Sequence, residues 1–338
     1  MACFETKGIT QPPNLSALID LPGKWVDWVR QIKPIKTLIL DLDRSLSETC
    51  GQQEGSQYNE HFGCECYHPL FCFNQDSDVE GAMLRNGNVA SAHDWPVVRA
   101  PVIERYRDLN IGKLFRGDPA FAIPDLYQFL EAEGFIYAIR LPANAVLNRE
   151  IDHLMKPPAG RPPAPPIVYL HHLHYQAGSW NKLRTVEAKV QWRCDELFLR
   201  IGFVVANMRG GATPVIDFSN RRGTAEQWIK EGKLALNWTR LSCHHFDDNQ
   251  GRRQLFVLAY NLGNFLRRLA LPASVKYWTL TTLQVKLIKM GAKVVHHARH
   301  VIFQIAEVVL STNLFVAILD RIRRWAPKAR AGPLALVR

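Results

Sequence analysis

Thr37-Leu-Ile-Leu-Asp-Leu-Asp43 is a short apolar run of β-favouring residues that closes on two carboxylates. A strand this apolar reads as one buried on both faces, and when it ends in acids it delivers charge to the rim of a sheet. Working outward, residues 60–66 and 67–74 read as two further strands, 92–106 as a helix and 112–117 as a strand with Asp118 directly after it. Residues 124–133, opened by Pro124, predict a helix, and 134–141 another strand. The order β-β-β-α-β-α-β, with acids ending the first and fourth strands, is that of an α/β protein with a ribonuclease-H-like mixed sheet at its core.

Beyond this core, residues 156–166 form a stiff Pro-rich linker, Lys156-Pro-Pro-Ala-Gly-Arg-Pro-Pro-Ala-Pro-Pro166. Residues 167–175, 184–192 and 197–207 then alternate like three antiparallel strands, an all-β insertion. Helices are expected over 220–236, 252–269, 281–290 and 313–325, with a strand pair at 293–297 and 300–304. Ahead of the core, residues 14–30 repeat apolar side chains at helical spacing with an interruption at Pro22-Gly23. The chain thus divides into an N-terminal region or linker (1–36), the first part of the core (37–155), the linker and insertion (156–215), and the second part of the core with a basic helical C-terminal region (216–338).

Composition narrows the function. With 338 residues, 47% of them apolar, and nine tryptophans, the chain has material for real cores and is not wholly disordered. No uncharged apolar run is long enough to span a membrane, and the first residues lack a secretory signal pattern, so a cytoplasmic protein is expected. The formal charge of +11 is concentrated: residues 250–338 carry 15 basic side chains against two acidic ones, and the rest is close to neutral. Such a patch suits a polyanion such as double-stranded DNA, although a solvated basic face has the same signature. Seven cysteines, an odd number, do not suggest a disulfide framework. Cys64, Cys66 and His68, with Cys243 downstream, lack the usual zinc spacing and read as ordinary core or strand residues.

Three acids are candidates for chemistry: Asp43, Asp118 and Glu226. If the strands bearing the first two are neighbours, all three can converge, and converging carboxylates suit Mg²⁺ or Mn²⁺. Two such ions activate a water or a 3′-hydroxyl for in-line attack on phosphorus. Around Glu226 the sequence runs Ser219-Asn-Arg-Arg222-Gly-Thr-Ala-Glu226 and on to Lys233. Arg222 and Glu226 are four apart and Lys233 two turns further on, so all three fall on one side of a helix. That arrangement suits a phosphate clamp, or simply a salt-bridged surface helix.

The Arg-x₃-Glu-x₆-Lys helix, the strand LILDLD, the stretch GQQEGSQYNEHFGCECYHPLF, the turn FRGDPAF and the tract LFVLAYNLGNFLR together resemble DDE transposases of bacterial insertion sequences. More narrowly they resemble the DDE group 1 domain of the insertion-sequence 1380 type, over residues 4–324. The resemblance implies metal-dependent cleavage at transposon ends followed by strand transfer into target DNA. It assigns Asp43, Asp118 and Glu226 to the catalytic, metal-holding roles, with two Mg²⁺ or Mn²⁺ ions, and prefers Asp43 over Asp41. Arg222 and Lys233 would contact DNA phosphate, and Ser219 stands where the family has a tyrosine that does the same. The insertion would hold the transposon end, where Trp180 or Trp192 could stack a base or simply fill the core. The resemblance also implies a homodimer bridging terminal inverted repeats, associated with the bacterial nucleoid, and an N-terminal truncation relative to the family.

Two other readings stay open. Asp41-Leu-Asp43-Arg-Ser45 also resembles the nucleophile motif of haloacid-dehalogenase-like phosphatases, with Asp247 and Asp248 as a later metal pair. A DNA-binding remnant that no longer cleaves would keep the basic region and lose only the chemistry.

Overall fold

The computed structural model describes residues 7–90, 92–156, 165–193, 196, 198–297, 300–305 and 311–325. Most of the Pro-rich linker, Cys3, Cys194 and the last thirteen residues lie outside the described residues. The chain falls into two compact units, Met1–Trp228 with Thr239–Gln254, and Ile229–Trp238 with Leu255–Arg338.

The first unit is built on β1 (Thr37–Arg44), which pairs antiparallel with β5 (Leu70–Asn74) and parallel with β7 (Gly112–Gly117). β7 pairs parallel with β8 (Ile136–Leu141), and β6 (Val79–Met83) closes the far edge against β5. The order β6-β5-β1-β7-β8 continues without a break into β11 (Arg200–Ala206), β10 (Arg184–Trp192) and β9 (Ile167–Tyr175), giving eight strands. The three insertion strands therefore hydrogen-bond into the core sheet itself, through β11 against β8.

The first three core strands are not quite the expected ones. Pro69 lacks an amide donor and separates β4 (Cys64–Tyr67) from β5, and the two join different sheets. β4 lies in a small three-stranded sheet between β2 (Ser47–Glu48) and β3 (Gln57–Asn59). The third core strand is β6, which follows a tight turn with Ser77 at φ 67°. Its sequence, Val-Glu-Gly-Ala-Met, hides a buried strand because Glu80 looks like a surface residue. In fact Glu80 is buried and bonded to Arg30 (2.8 Å), Asn74 (2.7 Å), the Tyr106 hydroxyl (3.0 Å) and Arg105.

Alternation along each strand sorts the side chains between two faces. On one, Leu38, Leu40, Leu42, Phe115, Tyr137 and Ile139 meet α2 (Trp95–Tyr106) and α3 (Pro124–Ala132). Trp180 joins this core, edge-on to Tyr127 at 5.4 Å, and Trp192 packs against it; the core role holds for both. On the other face, Ala138, Val204 and Ala206 meet Val215 and Ile216 of α5 (Ala212–Asn220). That helix falls between the expected strand 197–207 and the expected helix 220–236, where no element was read. Its start is marked by Gly210-Gly211, both at positive φ, and Pro214. α1 (Pro12–Ile32) runs unbroken through Pro22.

In the second unit, Trp238 packs against Tyr260 at 5.1 Å and lies directly over Gly232, where any β-carbon would sit 2.4 Å from its ring. Glu231 holds Arg267 (2.9 and 3.0 Å) and accepts from the Leu280 amide (2.8 Å). Arg321 of α9 (Thr312–Trp325) donates to the Leu271 carbonyl at 2.9 Å. β12 (Ala292–His297) and β13 (His300–Ile305) form the expected hairpin.

Candidate active site

Because Leu38, Leu40 and Leu42 turn toward α2, Asp41 and Asp43 share the opposite face of β1. The parallel register sets Arg116 beside Asp41, so that Asp118, two residues on, comes level with Asp43. Asp118 caps a single turn formed by Pro119–Phe121 and accepts from the Ala120 amide at 2.9 Å. The third acid arrives on α6 (Gly223–Leu236), where Glu226 occupies the first turn with its side chain 59% exposed.

Arg222 gathers them. It precedes α6 in the turn after α5, not on the helix as the spacing suggested, and its guanidinium is buried. Nη2 lies 2.7 Å from Asp43 Oδ1 and 3.5 Å from Asp118 Oδ2, and Nη1 lies 3.6 Å from Glu226 Oε1. One guanidinium therefore touches all three carboxylates. Arg44 adds a longer contact, Nε to Asp118 Oδ2 at 3.9 Å, and its amide donates to Asp43 Oδ1 at 2.9 Å. Burial pushes the Asp43 carboxyl up to about 6, against the pull of Arg222 and the Arg44 amide; Asp118 and Glu226 push the same way as burial.

Asp41 is engaged elsewhere. Fully buried, it accepts from Arg116 Nε at 2.7 Å and from a second guanidinium nitrogen, and Arg116 stacks 5.3 Å over Phe218. A nucleophile needs access that this carboxylate lacks, and Asp247 and Asp248 lie on the first turn of α7 (Phe246–Phe265). The phosphatase reading therefore has no support in the geometry.

Ser219 is 2% exposed on α5, and its carbonyl accepts from the Arg222 amide at 3.1 Å. Lys233 is half-buried, further along α6 in the second unit. Cys66 and His68 are buried and Cys64 half-buried; His68 Nδ1 contacts the Val89 carbonyl at 3.3 Å. Among the described residues, no group of three or more His, Cys, Asp or Glu side chains is already arranged as a metal site. The donor set of the carboxylate cluster nevertheless fits a hard divalent cation: all its ligand atoms are oxygens, and Asp43 Oδ2 is buried with no hydrogen-bond partner among the described residues. Arg222 already holds positive charge where the carboxylates converge.

Sequence reasoning missed Arg116 and Arg44. The clue was the shared alternation of Asp41/Asp43 and Arg116/Asp118, which puts the pairs side by side once β1 and β7 are neighbours.

None of the curated proteins compared with this chain matches it. One solved structure, the piggyBac transposase synaptic complex with hairpin DNA, aligns with a TM-score of 0.40 and 12% identity over 75% of this chain. The chain spans about half, 54%, of the length of that relative. A model of the family described as transposase DDE domain group 1 matches residues 3–327. Spanning nearly all of the sequence, that match places the chain in the group 1 transposase DDE domain family.

Proposed function

We propose that this chain is the catalytic part of a DNA transposase that cuts phosphodiester bonds at the ends of a mobile element and joins them to target DNA. The observation that carries the reading is the meeting of Asp43, Asp118 and Glu226 on one buried guanidinium, on the open face of a sheet ordered like ribonuclease H. Three carboxylates from a central strand, the loop after its neighbour and a helix form a hard-oxygen cluster, the arrangement metal-assisted phosphoryl transfer requires.

Asp43, Asp118 and Glu226 would hold the divalent metal, Mg²⁺ or Mn²⁺, singly or as a pair. When bound, it supplies Lewis acidity toward the phosphate and an activated oxygen nucleophile. Asp43 and Asp118 are set by strand and turn backbone, so they fix where the reacting phosphorus must lie. Arg222 offsets the repulsion among the acids, and a guanidinium released from them by a bound cation would be able to donate to a phosphate oxygen. Lys233 and the basic C-terminal region would bind backbone phosphates, and a homodimer would bridge two ends.

The test is nicking of duplexes carrying the element's own termini in Mn²⁺, comparing wild type with Asp118→Ala. Removing one ligand forfeits several kcal/mol of transition-state stabilisation, roughly a thousandfold in rate. Shifted mobility without nicking by the wild type would instead establish a DNA-binding remnant, a reading favoured by the cation-like position of Arg222.

A further inference from the structure

Next to the carboxylates, the same sheet face opens into a cavity of about 470 Å³. Arg140 of β8 follows Ile139, which is the register partner of Gly117, so it stands one strand over at the level of Asp118. Arg140 faces Val204 of β11, and Lys189 of β10 faces Gly202, all on the side of Ala138 and α5. α5 covers part of this face, over Ala138, Val204 and Ala206. Beyond its last residues, Ser219 and Asn220, the face lies open, and Pro119, adjacent to Asp118, forms part of the rim.

The lining contains three cations, Arg140, Lys189 and Arg200, and no acid. Arg200 is held by Glu196 (Nε to Oε2, 2.7 Å). Among the described residues, Arg140 and Lys189 have no ion-pair partner. Gly202 lies between them without a side chain, and a β-carbon built there meets nothing within 4 Å. Two cations with no ion-pair partner among the described residues, around an open floor on the face that carries the catalytic acids, suit an anion; the buried Glu187 of the same face is held by His172 at 2.8 Å.

We propose that this cavity binds the backbone phosphates of the DNA strand leading into the carboxylate cluster, with Arg140 and Lys189 as the contacting residues. The inference rests on the transposase reading and adds to it the path of the strand. Because neither side chain has an ion-pair partner within the described protein, both can be neutralised without leaving a carboxylate stranded.

The test is fluorescence anisotropy of the full chain with a labelled random-sequence duplex, in metal-free buffer over a salt series. Arg140→Gln/Lys189→Gln is compared with Lys33→Gln/Lys36→Gln, which removes the same charge at exposed positions by the opposite end of β1. Losing two phosphate contacts should flatten the slope of log affinity against log salt by about 1.8, the control far less. Gly202→Asp should weaken binding and Gly202→Ser should not. Equal slopes for the two double variants, or equal effects of Asp and Ser, overturn the inference. Absence of any salt-dependent DNA binding by the wild type overturns the transposase reading along with it.

Discussion

Asp43 is held in the sheet at an electrostatic disadvantage that Arg222 only partly offsets. Since burial raises its folded pKa to about 6, its contribution to stability is flat below the ordinary carboxyl value, falls as pH rises toward about 6, and is flat above. Urea titrations should therefore show the stability of wild type relative to Asp43→Asn dropping by about 2–3 kcal/mol between pH 3.5 and roughly pH 7. Burial raises the Asp41 carboxyl too, against the hydrogen bond and charge of Arg116, but here the partner is as buried as the acid. Asp41→Asn strands Arg116 and should cost about 3–5 kcal/mol by chemical denaturation. Arg99 is a third case. Its guanidinium is buried with no hydrogen-bond partner among the described residues, 4.1 Å over Phe115 and within 6 Å of the Trp95, Phe129 and Phe135 rings, and burial lowers its pKa to about 9. Arg99→Met keeps the volume and removes the desolvated charge, so denaturation should show stability unchanged or raised by about 1–4 kcal/mol.

At the scale of elements, the strands that place the acids were legible because β1 is an apolar run holding two carboxylates and β7 is a short strand followed directly by Asp118. β6 was not, since the four groups that neutralise Glu80 come from α1, β5 and α2, and nothing local announces them. The break between β4 and β5 was read at residues 66 and 67 and lies at His68-Pro69, because the apolar pattern runs on through Tyr67 and hides the proline. Of the candidate site, the three acids were readable from their positions after strands and on a helix. The inward turn of Arg222 was not, because it depends on α6 beginning one residue later, at Gly223. The small sheet offers a sharp test of close packing. A β-carbon at Gly87 would lie 2.1 Å from the Cys66 carbonyl and 2.3 Å from that of Gln57. Both are backbone atoms that cannot swing aside, so Gly87→Ala should lower stability by about 3 kcal/mol or more, read as a fall in Tm.

For the whole molecule, charge is the dominant statement. A formal +11, concentrated in the last 89 residues, predicts association with duplex DNA of any sequence and a steep loss of affinity with salt. Arg323→Gln/Arg324→Gln, on the exposed end of α9, should weaken binding uniformly across sequences and reduce the salt slope by about one to two. Among the described residues no helix is long and apolar enough to cross a membrane. β1 has hydrogen-bonded neighbours along both edges, whereas Glu226 rides on an exposed first helical turn. The cluster therefore resembles a vice with unlike jaws: two acids are set by an eight-stranded plate and the turn after one of its strands, and one is presented by an exposed helical turn. Deuterium uptake should be slowest across Leu38–Leu42 and far quicker at the start of α6, so the gap between the jaws is set from the helical side.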